Sequence, residues 1–105
     1  MFNVPEVSPS KAKELLSSGA VLIDVRTPQE HFQLRIPDCK LMPLDELRFT
    51  FKELSKEKVY VIYCRSGERS AFATYFLRQM GFEAYNLSGG IINWPYEKES
   101  GPPSS

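Results

Sequence analysis

The residues best suited to chemistry lie in one short segment, Cys64-Arg-Ser-Gly-Glu-Arg-Ser70. A cysteine in a turn before a helix meets the positive helix end, a ring of backbone N–H groups and here two arginines, all of which favour the thiolate over the thiol. Cys64 is therefore suited to nucleophilic attack. Because these donors stabilise the thiolate, no separate base is needed, and the same donors can hold an anionic substrate.

The segments on either side of Cys64 predict a strand that runs into this turn and a helix that leaves it. Val59–Tyr63 contains only β-branched and aromatic residues, which are typical of a strand. Ser70 to Met80 has apolar residues on one helical face, and Gly81 suits the helix end. Cys64 should thus lie at the carboxyl edge of a sheet, where open α/β folds bind ligands.

Other strands and helices alternate along the chain. The patterns predict a helix after Ser8, a strand over Ala20–Val25, a capping box formed by Thr27 and Glu30, a short strand over Lys40–Met42, a helix from Pro43 to Leu54 and a strand over Ala84–Leu87. Such alternation through short loops indicates right-handed βαβ units. We therefore expect an α/β fold with an open parallel sheet flanked by helices on both faces.

Composition limits the class of protein. The 105 residues are 42% hydrophobic with 13 basic and 13 acidic side chains, which indicates one globular domain and gives no support for nucleic-acid or membrane binding. Two cysteines and one histidine argue against a disulfide framework and most metal sites. With no signal peptide or spanning segment, we expect a cytoplasmic protein. The domain should occupy residues 1–97, and the polar residues 98–105 should be a disordered tail or a cloning scar.

Several segments, taken in chain order, resemble the rhodanese-homology domain. They are Leu22–Arg26 with Pro28 and Glu30, Ile36-Pro37, Met42–Leu44, Tyr63–Ser70, and Leu87–Ile91 with Trp94, and together they extend from about Val4 to Trp94. The resemblance implies a five-stranded parallel sheet and a double-displacement sulfurtransferase. In that reaction the loop cysteine takes a sulfane sulfur from thiosulfate or a persulfide and passes it to a thiophilic acceptor.

The same resemblance implies a role for each loop residue. Cys64 is the nucleophile that carries the persulfide, and the substrate-binding positions are Arg65, Ser66, Gly67, Glu68, Arg69 and Ser70. Their backbone amides form the cradle, Arg65 and Arg69 orient an anionic donor, and Ser70 also caps the helix. Glu68 should point outward into solvent. The expected partners are a small anionic donor such as thiosulfate and a thiol or protein acceptor, without cofactor or metal.

Two other classes of function stay open. Related cysteine phosphatases have C-x5-R loops, whereas Cys64 and Arg69 are separated by four residues. We expect this shorter turn to be too tight for phosphate but adequate for one sulfur atom. A non-catalytic rhodanese-like interaction module is the other alternative, and the retained Cys64 argues against it.

The remaining polar residues receive structural interpretations. We assign Asp24, Arg26 and Glu30 to a capping and ion-pair network, and His31 to the surface because no second ligand lies near it in sequence. Cys39 is expected to be a half-buried spectator, with a resolving thiol for Cys64 as the minority hypothesis.

The segment before Ile36-Pro37 departs from the family pattern. Leu34-Arg35 stands where the family commonly has Gly-His, and Asp38-Cys39 stands where Gly-Ala is frequent. If the turn faces the site, Arg35 would add positive charge at its mouth.

Overall fold

The computed structural model describes residues 3–102, and its centre is a sheet of five parallel strands. The strands are β1 (Glu6–Val7), β2 (Val21–Asp24), β3 (Lys40–Leu41), β4 (Val59–Tyr63) and β5 (Glu83–Leu87), arranged in the order β1-β5-β4-β2-β3. The predicted five-stranded parallel α/β fold is confirmed. Because β4 is the central strand, Cys64 emerges from the middle of the sheet.

Within residues 3–102, four helices and two short 3-10 turns connect the strands, and a third 3-10 turn follows β5. The helices are α1 (Pro9–Ser17), α2 (Pro28–Gln33), α3 (Leu47–Thr50) and α4 (Glu68–Gln79), and the 3-10 turns are Leu44–Glu46, Phe51–Glu53 and Ile91–Asn93. The Ser8 side chain caps α1 by accepting a hydrogen bond from the Lys11 amide. Thr27 and Glu30 form the predicted capping box of α2. None of the helices within residues 3–102 is long and apolar enough to cross a membrane.

The sheet separates two hydrophobic cores. Alternate residues of β4 point to opposite faces, so Tyr60, Ile62 and Cys64 join one core while Val61 and Tyr63 join the other. The first core also holds Leu47, Ala73 and Leu77, and the second holds Ala12, Ile36 and Trp94. A strand buried on both faces explains why the Val59–Tyr63 run is apolar throughout.

The predicted helix from Pro43 to Leu54 is only partly right. One turn of α-helix, α3, is flanked by 3-10 turns, and none of the three has a side-chain cap. The apolar residues recur at spacings of three and four, so they can face the core in either type of helix. The aromatic and β-branched residues Phe49, Thr50 and Phe51 lower the preference for a continuous α-helix.

Residues 99–101, which lie in the segment predicted to be a disordered tail, make hydrogen bonds to α2 and to Arg35 in the structure. Glu99 forms two backbone hydrogen bonds with Arg35, each of 2.9 Å, and Gly101 donates to the Phe32 carbonyl at 2.8 Å. The Arg35 guanidinium is buried and bonds to the Glu99 carboxylate and the Gly101 carbonyl. Arg35 therefore holds the tail against α2, and residues 103–105 lie outside the described residues.

Candidate active site

The Cys64 loop (residues 64–70) turns the chain from the end of β4 into the first turn of α4. Gly67 is the residue before the helix and has φ of 110°, a left-handed conformation that glycine adopts without a steric penalty. This turn directs the first amides of α4 back toward the end of β4. Cys64 thus lies at the helix N-terminus, where unpaired N–H groups favour negative charge.

The Cys64 thiol accepts three hydrogen bonds. They come from the Gly67 amide at 3.2 Å, the Ser70 amide at 3.3 Å and the Ser70 hydroxyl at 3.2 Å. Burial raises the pKa of Cys64, but these bonds, with the Ser66 amide, outweigh burial and lower the pKa below the usual 9.0. These hydrogen bonds therefore favour the thiolate form of Cys64.

Ser70 differs in one respect from its predicted role. The helix begins at Glu68, with Gly67 as its cap, so Ser70 lies inside the first turn and does not cap the helix. Its hydroxyl is buried and donates to the sulfur instead. The Thr74 hydroxyl donates to the Ser70 carbonyl at 2.7 Å and so stabilises this turn of the helix.

Arg69 is bound to a glutamate of α2. Its two terminal nitrogens donate to the two carboxylate oxygens of Glu30 at 2.8 and 2.9 Å. The hydrogen bond from Arg69 is the main reason that the pKa of Glu30 falls to about 2. The sequence assigned Glu30 to a capping and ion-pair network but gave no sign that Arg69 is its partner, because Arg69 is 39 residues away.

The other loop side chains face outward. Arg65, Ser66 and Glu68 are exposed, and the outward direction of Glu68 agrees with its prediction. Among residues 3–102 no ion pair joins Arg65 to a carboxylate. Of the two loop arginines, Arg65 is thus the one whose charge is not compensated by a direct partner in the described chain.

A second turn supports the Cys64 loop from the side of β5. The Ile91 amide donates to the Cys64 carbonyl at 2.9 Å, and the Ile92 amide donates to the Arg65 carbonyl at 3.2 Å. A Cβ atom at Gly90 would lie 2.3 Å from the Arg65 carbonyl oxygen, so only glycine allows this approach. In the sequence, the Gly89-Gly90 pair was the feature that indicated a tight turn at this place.

Asn86 at the end of β5 also holds the loop, and sequence analysis did not single it out. Its side chain is fully buried, and its amide donates to the Gly67 carbonyl and to the Glu6 carboxylate, each at 3.1 Å. An asparagine within a strand pattern carries no local signal for such a contact. The position of Gly67 therefore depends on two strands distant in sequence.

A buried polar cluster lies beside α2. Asp24 accepts hydrogen bonds from Arg26, from His31 at 3.0 Å and from the Tyr63 hydroxyl at 3.1 Å. The predicted network is thus correct for Asp24 and Arg26, but Glu30 pairs with Arg69 instead of joining it. The surface assignment of His31 is wrong. His31 is buried because its ring nitrogen bonds to a carboxylate on the neighbouring strand, a contact that sequence spacing does not show.

The same cluster contains three atoms that could bind a metal. The ligand atoms of Asp24, His31 and Cys39 lie within 4.8 Å of one another. Both Asp24 oxygens are already bonded by the Arg26 guanidinium, which would lie next to any cation placed there. The donor set therefore suits a hydrogen-bond network better than a metal ion.

Cys39 lies on the other side of the sheet from Cys64. Its side chain packs on the core that contains Tyr63, whereas Cys64 belongs to the opposite core. Burial raises the pKa of the Cys39 thiol to about 11. This placement argues against the hypothesis that Cys39 resolves Cys64 and favours the spectator interpretation.

Two pockets flank the entrance to the Cys64 loop. The larger has a volume of about 660 Å³ and lies between Val25, Leu44 and Leu47 on one side and Arg69 and Phe76 on the other. Its walls are mainly apolar. The smaller pocket, of about 310 Å³, adjoins Arg65. The Cys64 loop therefore borders an apolar pocket at Arg69 and a second pocket at Arg65.

Comparisons with known proteins agree with this geometry. Residues 8–96 match the family model of the rhodanese-like domain. A sulfurtransferase of Allochromatium vinosum is 44% identical over 79 residues, covering 74% of each chain, and the thiosulfate sulfurtransferase GlpE of Pseudomonas syringae is 32% identical over 95 residues, covering 90% of each. The crystal structure of a rhodanese-related protein from Thermoplasma volcanium superimposes with a TM-score of 0.85 at 31% identity, covering 90% of this chain and 97% of the other.

Proposed function

This chain belongs to the rhodanese-like domain family, and from that premise we propose how it works as a rhodanese-type sulfurtransferase. Cys64 takes a sulfane sulfur from a donor, holds it as a persulfide and passes it to a thiol acceptor. The observation that carries the proposal is the set of three hydrogen bonds that converge on the Cys64 sulfur. The similarity to sulfurtransferases supports the reaction class. The hydrogen bonds of the loop support Cys64 as the residue that carries the sulfur.

In the first half-reaction the Cys64 thiolate attacks the outer sulfur of thiosulfate. A bond forms between the two sulfur atoms, the S–S bond of thiosulfate breaks, and sulfite leaves with the bonding electron pair. Cys64 then carries a persulfide whose terminal sulfur bears the negative charge. The hydrogen bonds that lower the pKa of Cys64 increase the fraction of protein that carries the attacking thiolate.

In the second half-reaction an acceptor thiolate attacks the terminal sulfur of the persulfide. The acceptor leaves as a persulfide, and Cys64 is released as a thiolate. The hydrogen bonds that lower the pKa of Cys64 also make it a better leaving group, because they stabilise the same anion. The same hydrogen-bonded loop thus assists both half-reactions.

The loop residues divide the work in this proposal. The amides of Gly67 and Ser70, with the Ser70 hydroxyl, stabilise charge on sulfur. Arg65 orients an anionic donor, since its guanidinium is exposed and has no acidic partner among residues 3–102. Both terminal nitrogens of Arg69 bond to Glu30, so the role of Arg69 in this proposal is to hold the first turn of α4 in place. Ser66 and Glu68 line the exposed rim.

The proposal is tested by intact mass spectrometry after incubation with thiosulfate. Wild-type protein should gain one sulfur atom that a reductant removes, and Cys64→Ser should gain none. Cys39→Ser is the matched control and should still take up sulfur. Uptake that persists in Cys64→Ser and disappears in Cys39→Ser would transfer the role to Cys39.

The same preparation tests the phosphatase alternative. We expect negligible hydrolysis of a generic aryl phosphate, because the Cys64 loop is one residue shorter than a C-x5-R loop. Hydrolysis without sulfur uptake would overturn the sulfurtransferase assignment. Absence of both activities would favour a non-catalytic interaction module.

A further inference from the structure

The smaller pocket beside the Cys64 loop is lined by two cations from distant parts of the chain. Arg65 belongs to the loop and Lys98 to the tail, and both line a space of about 310 Å³. Within residues 3–102 neither side chain forms an ion pair with a carboxylate. The pocket therefore has a surplus of positive charge where it borders the Cys64 loop at Arg65.

The other charged residues of this pocket already have partners. Arg26 is bonded to both oxygens of Asp24, and Glu30 to both terminal nitrogens of Arg69. These pairs neutralise one another inside the protein. Arg65 and Lys98 are then the charges that an incoming molecule meets.

Lys98 is held in the pocket by the residue after it. Glu99 makes two backbone hydrogen bonds to Arg35, and its carboxylate accepts from the Arg35 Nε at 2.9 Å. Arg35 is 2% exposed and also donates to the Gly101 carbonyl at 2.7 Å. Arg35 stands where the family commonly has another residue, so this chain has its own way to bring a lysine to the site.

The pocket adjoins the backbone of the reactive cysteine. Arg65 follows Cys64 directly, and the pocket residues Ile91 and Ile92 donate amide hydrogen bonds to the carbonyls of Cys64 and Arg65. A molecule in the pocket would thus lie beside the loop that carries Cys64. Its apolar contacts with the two isoleucines would lower the local dielectric and strengthen attraction to the cations.

We propose that this pocket binds the anionic part of a sulfur substrate, with Arg65 and Lys98 as its binding residues. The inference rests on the proposed sulfur transfer at Cys64, in which Arg65 orients an anionic donor, and goes further by adding Lys98 as a second binding residue. The anion could belong to the donor or to the acceptor, and because the two half-reactions are separable they can be tested one at a time.

The donor arm compares two compounds that deliver the same sulfur atom. Thiosulfate is a dianion and releases sulfite, whereas methanethiosulfonate is a monoanion and releases methanesulfinate by the same S–S cleavage. If the pocket binds the donor, Lys98→Ala should lower the rate constant of persulfide formation about three- to fivefold with thiosulfate and less than twofold with methanethiosulfonate. The difference should shrink as salt is added.

The acceptor arm uses protein already loaded with sulfur. Mercaptosuccinate carries two carboxylates, whereas 2-mercaptoethanol carries none. If the pocket binds the acceptor, Lys98→Ala should slow discharge of the persulfide about three- to fivefold with mercaptosuccinate and leave 2-mercaptoethanol almost unchanged.

Two further variants separate local from general effects. Lys58→Ala removes an exposed charge at the opposite edge of the sheet, about 20 Å from Cys64 at ~3.3 Å per strand residue, and should change neither arm. Glu99→Gln weakens the contact between Glu99 and Arg35. It should therefore reduce the preference for the more highly charged compound, but by less than Lys98→Ala does.

Each outcome decides the inference. A selective loss in one arm assigns the pocket to that substrate, and equal losses for all compounds, or equal effects of Lys58→Ala, overturn the inference. A wild-type protein that forms no persulfide would refute the proposed function instead. Thermal unfolding midpoints of the variants show whether a loss comes from unfolding, and Arg65→Gln provides a second variant if Lys98→Ala fails to fold.

Discussion

Arg69 and Glu30 meet through two parallel hydrogen bonds of 2.8 and 2.9 Å, and this pair joins the first turn of α4 to the first turn of α2. Glu30 also accepts a hydrogen bond from the Thr27 amide at 3.1 Å. One carboxylate therefore caps one helix and anchors the start of the other. Because the Cys64 loop ends in that anchored turn, the pair connects stability to the geometry of the site.

Glu30→Gln should lower the free energy of unfolding by about 1 kcal/mol at pH 7, since the pair is partly exposed and screened by solvent. The pKa of Glu30 is about 2 in the folded protein, below the value of 4.5 for an unperturbed group. Its contribution is therefore complete above about pH 4.5 and is lost as the pH falls toward 2. Urea unfolding at pH 7, 4 and 3 measures this.

The matched control for that prediction is Glu53→Gln. Glu53 forms a long contact of 3.9 Å with Lys40, and both side chains are largely exposed. It should change stability little at any of these pH values. A stability difference for Glu30→Gln that grows as the pH falls would contradict the assignment.

Ser70→Ala should raise the pKa of the Cys64 thiol, because it removes the hydroxyl hydrogen bond to sulfur and keeps the amide bond. The rate of alkylation by iodoacetamide, followed against pH, should have its midpoint at a higher pH than in wild type. Persulfide formation near neutral pH should slow for the same reason. Ser66→Ala is the control, since the Ser66 side chain is exposed and only its amide contributes. Identical alkylation profiles for Ser70→Ala and wild type would refute the role of the hydroxyl.

The sequence predicted the Cys64 loop well because its signals are local. The β-branched run Val59–Tyr63 and the amphipathic pattern after Ser70 are each contained within a dozen residues, and so is the Thr27–Glu30 capping box. Strand β1 was not identified, since its two residues are too few to show a period.

Contacts between distant segments could not be predicted in the same way. The bonds of Glu30 with Arg69, Arg35 with Glu99, and Asn86 with Gly67 each pair side chains or carbonyls whose meeting depends on the finished sheet. An isolated polar residue belongs to no periodic pattern, so the sequence does not indicate which residue it contacts. This is why His31 was misassigned and the contacts of Glu99 were not expected, while the neighbouring strands β2 and β3 were found.

Tyr63→Phe should lower the free energy of unfolding by about 1–2 kcal/mol with little change in persulfide formation. Its hydroxyl donates to Asp24 at 3.1 Å, accepts from the Ile36 amide at 3.2 Å and contacts the Cys39 sulfur at 3.3 Å, so its removal leaves three groups with fewer partners. Urea unfolding and sulfur uptake, measured on the same protein, separate the two effects. Tyr85→Phe, whose hydroxyl bonds to the exposed Glu83, should cost less than about 0.5 kcal/mol. Loss of sulfur uptake in a folded Tyr63→Phe protein would show that the Asp24 cluster takes part in transfer.

Gly90→Ala should both destabilise the protein and slow persulfide formation. The new methyl group would lie 2.3 Å from the Arg65 carbonyl oxygen and 2.7 Å from the Cys64 carbonyl oxygen, so the two turns must move apart. Gly19→Ala isolates the backbone contribution, because Gly19 also has positive φ, 104°, but has no atom within 4 Å of the added Cβ. Gly19→Ala should cost about 1 kcal/mol of unfolding free energy and keep sulfur uptake, while Gly90→Ala should cost at least about 2 kcal/mol. Equal stability losses in the two variants, with uptake unchanged in both, would mean that the turn at Gly90 does not hold the Cys64 loop in place.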